Sequence, residues 1–222
     1  MFKILRRAPL TATLLALIAF MFVVETVVGG STRQGVLVLL GANRWPLYGQ
    51  YWRLVASMFL HIGLLHVAVN SWALYQLGAL FEIWVGWKRL ATVYFASGIL
   101  GSAASLWFTL RPADGPSISA GASGAIFGIL GALIAFLFRR RDRLTPQAKS
   151  LLFQLLFWAG LNVFLGITSP AIDNSAHMGG FATGLLLGTF LQSRRELRRP
   201  PRPQAMPEEG YGQPEPRRFD DV

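Results

Sequence analysis

The sequence is poor in residues on which much of protein chemistry depends. It has no cysteine among its 222 residues, which excludes disulfides, thiolate metal sites and cysteine nucleophiles. It has only three histidines, and charged residues make up 14% of the chain, whereas soluble domains carry about a quarter. A chain with so few charges cannot cover the surface of an ordinary soluble domain, so a lipid bilayer is the expected solvent.

The residues that are abundant form long apolar runs. Hydrophobic residues make up 53% of the chain, and Lys and Arg lie in short junctions between the runs, so the net charge of +10 does not indicate a nucleic-acid groove. Six runs approach the roughly 17 to 25 residues that a spanning helix needs. They predict an all-α integral membrane protein with six transmembrane helices, near residues 11–28, 64–85, 90–110, 121–138, 148–167 and 175–191.

The first run follows Lys3, Arg6 and Arg7, a pattern that is also typical of a cleaved signal peptide. It is longer than the apolar region of a usual signal peptide, and further apolar spans follow it, so we expect a retained helix. No mitochondrial presequence is evident, which favours a bacterial inner membrane as the location of this multi-pass protein.

The basic residues predict the orientation. Of the 21 Lys and Arg residues, all but Arg33, Arg44, Arg53 and Arg111 lie near the N-terminus, in two alternate junctions or after residue 191. Positively charged loops stay on the cytoplasmic side, so both termini are expected there.

We therefore divide the chain into three parts: a cytoplasmic segment at 1–10, a membrane domain at 11–191 and a tail at 192–222. The first outer loop of the membrane domain, at about 29–63, is apolar and aromatic and is expected to lie in the interface. The tail holds half of the twelve prolines and little that could be buried, so we expect it to be disordered and cytoplasmic.

Polar residues stand near the start of three predicted spans, where a bilayer disfavours them unless they are paired or line a wet cavity. His66 and Asn70 stand in the second span, and their i, i+4 spacing puts them on one helical face. Ser123 stands in the fourth and His177 in the sixth. The predicted orientation puts all of them near the outer ends of their helices. A hydroxyl beside an imidazole is the arrangement that nucleophilic acyl transfer requires.

Four glycines predict that the fourth and sixth helices approach closely enough to bring these two groups together. They follow the serine and the histidine at helical spacing and leave faces without side chains. These residues are Gly124 and Gly128 in the fourth span and Gly180 and Gly184 in the sixth.

The start of a helix also supplies hydrogen-bond donors. The backbone N–H of Ser123 is expected to have no intrahelical partner, so it can face a developing oxyanion. His66 and Asn70 could add side-chain donors to it. Each feature alone has a plainer interpretation, because a serine between glycines is usually a packing residue and a lone Asn usually makes an interhelical hydrogen bond.

Three carboxylates are interpreted as structural. Glu82 lies about one turn from the inner end of the second span, Glu25 near the outer end of the first, and Asp173 in the last outer loop. A Ser-His-Asp triad through Asp173 is conceivable but ranks below a Ser-His dyad, because that loop is expected to be mobile.

At these residues the chain resembles the rhomboid family of intramembrane serine proteases. The resemblance covers about residues 52–191 and implies a six-helix bundle that cleaves transmembrane helices near the outer membrane face. It implies Ser123 as the nucleophile and His177 as the general base, and we expect no cofactor and no metal. The motifs stand in the family's order: Trp52-Arg53, His61 with His66-x-x-x-Asn70, Gly121-Ala-Ser123-Gly124 and His177-x-x-Gly180-x-x-x-Gly184.

The resemblance further implies that His66, Asn70 and the Ser123 backbone form an oxyanion hole. It implies that a fifth loop at about 168–175 caps the site and that Trp52 and Arg53 are structural. Phe127 stands where some members have a tyrosine stacked on the catalytic histidine.

Two other functions remain open. One is a catalytically inactive relative that binds membrane proteins. The other is a small transporter or channel, in which Glu82 and the histidines line a polar pathway.

Overall fold

The computed structural model describes residues 2–44, 48–110, 118–169 and 172–191, and most of these are helical. In these ranges the only pairing of β type is an isolated bridge between Asn43 and Ser119, so the all-α prediction is confirmed. The helices are α1 (Phe2–Leu5), α2 (Pro9–Val28), α3 (Gln34–Leu40), α4 (Arg53–Ala56), α5 (Leu64–Ala73), α6 (Ala79–Val85), α7 (Trp87–Ser105), α8 (Ser123–Phe138), α9 (Pro146–Thr168) and α10 (Asn174–Thr189).

Two wide turns with π-helical hydrogen bonds interrupt this regular pattern. The turn at Leu74–Gly78 joins α5 to α6 in one continuous rod, and the turn at Leu106–Leu110 extends α7. Single-turn helices also occur at Ser57–Phe59, before α5, and at Arg141–Arg143, between α8 and α9.

Four helical segments within the described ranges are long and apolar enough to cross a bilayer. They correspond to the first, second, third and fifth predicted spans: Pro9–Val28, Leu64–Val85, Trp87–Leu110 and Pro146–Thr168. Helices α8 and α10 match the fourth and sixth predictions in position but have 16 residues each. At about 1.5 Å per residue they are near 24 Å long, less than the roughly 30 Å thickness of a hydrocarbon core.

Helix α8 is the centre of the bundle, which explains why it can be short. Every residue from Gly124 to Leu137 is buried, and α7 and α10 pack against it on its glycine-containing faces. A helix enclosed by other helices meets protein rather than lipid, so its length need not match the bilayer.

Glu82 connects the start of α2 to the end of the α5–α6 rod. Its fully buried carboxylate accepts the backbone N–H of Leu10 at 3.0 Å, and the backbone N–H and the hydroxyl of Thr11 at 2.8 Å each. Helix N-termini leave their first N–H groups without intrahelical partners, and a carboxylate there also favours the helix dipole. Glu82 therefore acts as the N-terminal cap of a helix far away in sequence.

Arg53 stabilises the first loop by hydrogen bonds to other residues of that loop. The guanidinium Nη1 donates to the carbonyls of Val38 at 2.7 Å and Ala42 at 3.0 Å, and the guanidinium carbon lies 4.8 Å from the ring centre of Trp52. That ring lies against Gly41, where an added Cβ would be 2.4 Å from a ring carbon.

The same loop reaches the segment that precedes α8. Asn43 and Ser119 exchange two backbone hydrogen bonds of 2.8 Å, and the Gly121 N–H donates to the Ser57 carbonyl at 2.9 Å. The polypeptide entering α8 is thereby fixed on its first-loop side.

Candidate active site

The structure brings Ser123 and His177 into hydrogen-bond contact. Ser123 is the first residue of α8, His177 lies in the first turn of α10, and Ser123 Oγ is 2.8 Å from His177 Nε2. Both side chains are half-buried, so the pair is shielded but open on one side. For Nε2 to accept the serine proton, the imidazole must carry its own proton on Nδ1.

The contact depends on how closely α8 and α10 cross. A Cβ added at Gly180 would lie 2.0 Å from the Gly124 carbonyl oxygen, and one added at Gly184 would lie 1.9 Å from the Gly128 oxygen. Such distances are far inside van der Waals contact, so neither glycine can carry a side chain without moving a helix. The four predicted glycines therefore meet in pairs along one seam.

Phe127 fixes the plane of the imidazole. Its ring stacks on that of His177 with centroids 4.2 Å apart and an angle of 12° between the planes. Phe127 is one turn after Ser123, so the helix that carries the hydroxyl also carries the surface against which the imidazole rests.

Asp173 does not complete a triad. Its carboxylate accepts the Ala176 N–H at 3.1 Å as the N-cap of α10, and it also accepts hydrogen bonds from the Ser105 hydroxyl and, at 3.2 Å, from the Thr109 hydroxyl. The buried Nδ1 of His177 has no hydrogen-bond partner among the described residues. The structure thus gives Asp173 a structural position between α7 and α10, and stacking rather than a carboxylate orients the histidine.

His66 approaches the site from α5. Its Nδ1 accepts the Ile62 N–H at 3.2 Å, which leaves the proton of a neutral ring on Nε2. A Cβ on Gly121 would lie 2.9 Å from this Nε2 and 3.7 Å from Ser123 Oγ, so the imidazole and the serine border the same small space. Gly121 has a φ of +138°, a conformation that only glycine adopts easily.

Asn70 lies one turn further along the same face of α5 and is buried. Its amide Nδ2 donates to the carbonyl of His66 at 3.0 Å. An amide nitrogen carries two hydrogens, so this local bond leaves a second donor.

His61 and Glu25 form a buried pair that the sequence did not point out as a unit. The His61 N–H donates to Glu25 Oε1 at 3.0 Å, and His61 Nε2 accepts the Ala122 N–H at 3.4 Å. Burial, and after it the neighbouring His66, lowers the pKa of His61 to about 3, so this ring is neutral and can accept. The pair supports the residue directly before Ser123. The sequence signal was a second histidine five residues before His66.

Within the described ranges no three His, Asp or Glu side chains come close enough together to hold an ion.

Comparisons with known proteins agree on one family. Residues 48–194 match the family model described as the Rhomboid domain. The chain is 37% identical over 183 residues to "Rhomboid protease GluP" of Bacillus subtilis (strain 168), an alignment that covers 82% of this chain and 34% of that protein. It is 39% identical over 142 residues to "RHOMBOID-like protein 7" of Arabidopsis thaliana, covering 64% of this chain and 43% of the relative.

A fungal relative is similar over the same core. "Rhomboid-type serine protease 2" of Emericella nidulans is 35% identical over 146 residues, which cover 64% of this chain and 27% of the relative. The chain thus spans less than half the length of each of these three relatives.

Proposed function

This chain belongs to the rhomboid family, and from that premise we propose that it is an intramembrane serine endopeptidase working through a dyad of Ser123 and His177. The observation that carries the proposal is the 2.8 Å contact between Ser123 Oγ and His177 Nε2 inside a bundle of apolar helices. Hydroxyl and imidazole at this distance are the nucleophile and base of acyl transfer.

The proposed reaction has two halves. Ser123 Oγ attacks the carbonyl carbon of the scissile bond while its proton passes to His177 Nε2. The imidazolium then protonates the leaving amine, and an ester to Ser123 remains. A water molecule, deprotonated by the same imidazole, hydrolyses that ester and restores the serine.

The oxyanion of each half needs donors on the side of the serine away from the histidine. We assign this role to the backbone N–H of Ser123, the Nε2–H of His66 and the amide of Asn70. The position of His66 beside Gly121, in the same small space as Ser123 Oγ, supports the assignment, and Asn70 lies one turn further along the same face of α5.

The proposed topology has six membrane-spanning segments, with α8 and α10 as the short inner ones, and both termini in the cytoplasm. The site then lies toward the outer face, and transmembrane helices are the substrates. The positive charge of the α8–α9 junction supports this orientation. A multi-pass membrane location follows from the family and the apolar helices, and a bacterial inner membrane is our proposal.

Covalent labelling tests the proposal directly. The purified chain in detergent is treated with a fluorescent fluorophosphonate, and the labelled residue is identified by mass spectrometry. We expect label on Ser123, none in Ser123→Ala, and wild-type labelling in the control Ser150→Ala, whose serine is exposed on α9. Absence of label at Ser123 would favour an inactive relative, and ion flux into liposomes without labelling would favour a channel.

A further inference from the structure

A groove lies between α8 and α10 at the end of the molecule opposite the dyad. It encloses about 300 Å³, and its lining is apolar except for two residues at its mouth. Leu186 and Phe138, which line the groove, are 63% and 54% exposed, so the groove opens to the surface of the bundle. The lining residues are Ile134, Ala135, Phe138, Arg139, Leu185, Leu186 and Thr189.

Two guanidinium groups border the mouth of the groove. Arg139 lines it and donates one hydrogen bond to the Thr189 carbonyl, which leaves most of its five N–H donors free for another acceptor. Arg141 lies against the ring of Phe138, with its guanidinium carbon 4.9 Å from the ring centre. Both positive charges are therefore held next to an apolar slot by contacts with the residues that line it.

The charges around the mouth are strongly one-sided. Residues 139–149 contain Arg139, Arg140, Arg141, Arg143 and Lys149 but only one acid, Asp142. Arg140 donates to the carbonyl of Phe136, in the last turn of α8, and to that of Leu191, two residues after the end of α10. Within the described part of the chain, Arg139, Arg141 and Arg143 form no ion pair with Asp142.

The C-terminal ends of α8 and α10 affect the charge at the groove. Both α8 and α10 end at the groove, and helix C-termini carry partial negative charge that repels anions. The basic residues near the mouth carry more positive charge than is required to offset the partial negative charge at the C-termini of α8 and α10. A basic pocket between helices at the cytoplasmic side of a membrane has the chemistry that binds anionic lipid headgroups.

We infer that this groove, which we call the α8–α10 lipid groove, binds one anionic phospholipid. An acyl chain lies against Ile134, Leu185 and Leu186, and the phosphate is held by Arg139 and Arg141. The inference is independent of proteolysis; only the assignment to the inner leaflet rests on the topology proposed above.

Native mass spectrometry of the full-length chain tests the site. The protein is mixed in detergent with equal amounts of phosphatidylglycerol and phosphatidylcholine of distinguishable mass, and the bound lipids are counted. We expect phosphatidylglycerol to be preferred by roughly tenfold to thirtyfold, because each nearby basic residue adds modestly to the attraction. The double variant R139Q/R141Q is expected to bind both lipids equally.

Two further variants separate the site from general attraction. R6Q/R7Q removes two exposed charges from the N-terminal segment and is expected to keep the preference. Leu186→Trp, at an exposed position, is expected to reduce binding of both lipids without changing their ratio.

Three outcomes would overturn the inference. The first is that R6Q/R7Q loses the preference for phosphatidylglycerol as fully as R139Q/R141Q does. The second is displacement of the lipid by excess inorganic phosphate alone. The third is no preference in the full chain, as would follow if residues 192–222 filled the groove.

Discussion

The central helix α8 has neighbours of two kinds. Against α10 it makes backbone contact, since a Cβ at Gly180 or Gly184 would lie 2.0 or 1.9 Å from an α8 carbonyl oxygen. Helix α9 runs over 23 residues but buries only Leu155 and Gly166. The comparison teaches that the geometry of the dyad is set by a seam without side chains, whereas α9 contributes few buried residues to the packing of the bundle.

The largest expected effect lies at the end of the seam that carries Ser123 and His177. Ser123→Ala and His177→Ala are each expected to lower turnover of a fluorogenic transmembrane substrate by about 10⁴- to 10⁶-fold. The two groups act as one unit, so the double variant should be no slower than either single variant. Initial rates in detergent measure this, and substantial activity in either variant would contradict the dyad.

The proposed oxyanion donors, His66 and Asn70, should matter less than the dyad. His66→Ala and Asn70→Ala are each expected to slow turnover by about 10²- to 10³-fold, because one donor to the developing charge is lost. Slow reaction of Ser123 with a fluorophosphonate should persist, which separates the loss of a donor from the loss of the nucleophile. Wild-type turnover in both variants would leave these side chains with structural roles only.

A pair of valine substitutions tests the comparison itself. Gly184→Val is expected to reduce turnover on the order of 10²-fold and to lower the melting temperature, because it forces α10 away from α8. Gly160→Val in α9 is the matched control, since a Cβ there meets no atom within 4 Å. Equal losses of turnover and melting temperature in both variants would show that the seam is not special.

The smallest expected effect concerns the substrate. A peptide bond in a membrane helix has its carbonyl hydrogen-bonded within the helix, so in the proposed reaction the substrate must unwind before that carbonyl can accept hydrogen bonds from the proposed oxyanion donors. Replacing Gly near the end of a cleaved span by Leu is expected to lower the initial rate about fivefold. Liposome assays measure the rates, and equal cleavage of the Leu version would show that unwinding is not selective.

Hydropathy was enough to predict where the helices lie. The second predicted span, 64–85, has the same bounds as the observed rod, and the fifth differs from α9 by two residues or fewer at each end. Hydropathy did not reveal the turns at Leu74–Gly78 and Leu106–Leu110, because a change in hydrogen-bond register leaves composition unchanged. The number of membrane crossings and the side on which the termini lie stay predictions.

The sequence predicted those parts of the candidate site that depend on the spacing of residues within one helix. The spacing of His177, Gly180 and Gly184 indicated that they share one face of a helix, and in the structure this face of α10 packs against α8. Contacts between distant segments could not be read in this way. Glu25 and His61 are 36 positions apart, and nothing in either neighbourhood indicates the other.

The cap that Glu82 provides for α2 has a consequence for biogenesis. The residues it joins are about 71 positions apart, so the first turn of α2 leaves the ribosome long before its acceptor exists. Until the α5–α6 rod is inserted, those amides must remain with water or lipid headgroups. The helix that is synthesised early is thus capped only after a later segment of the chain has been made.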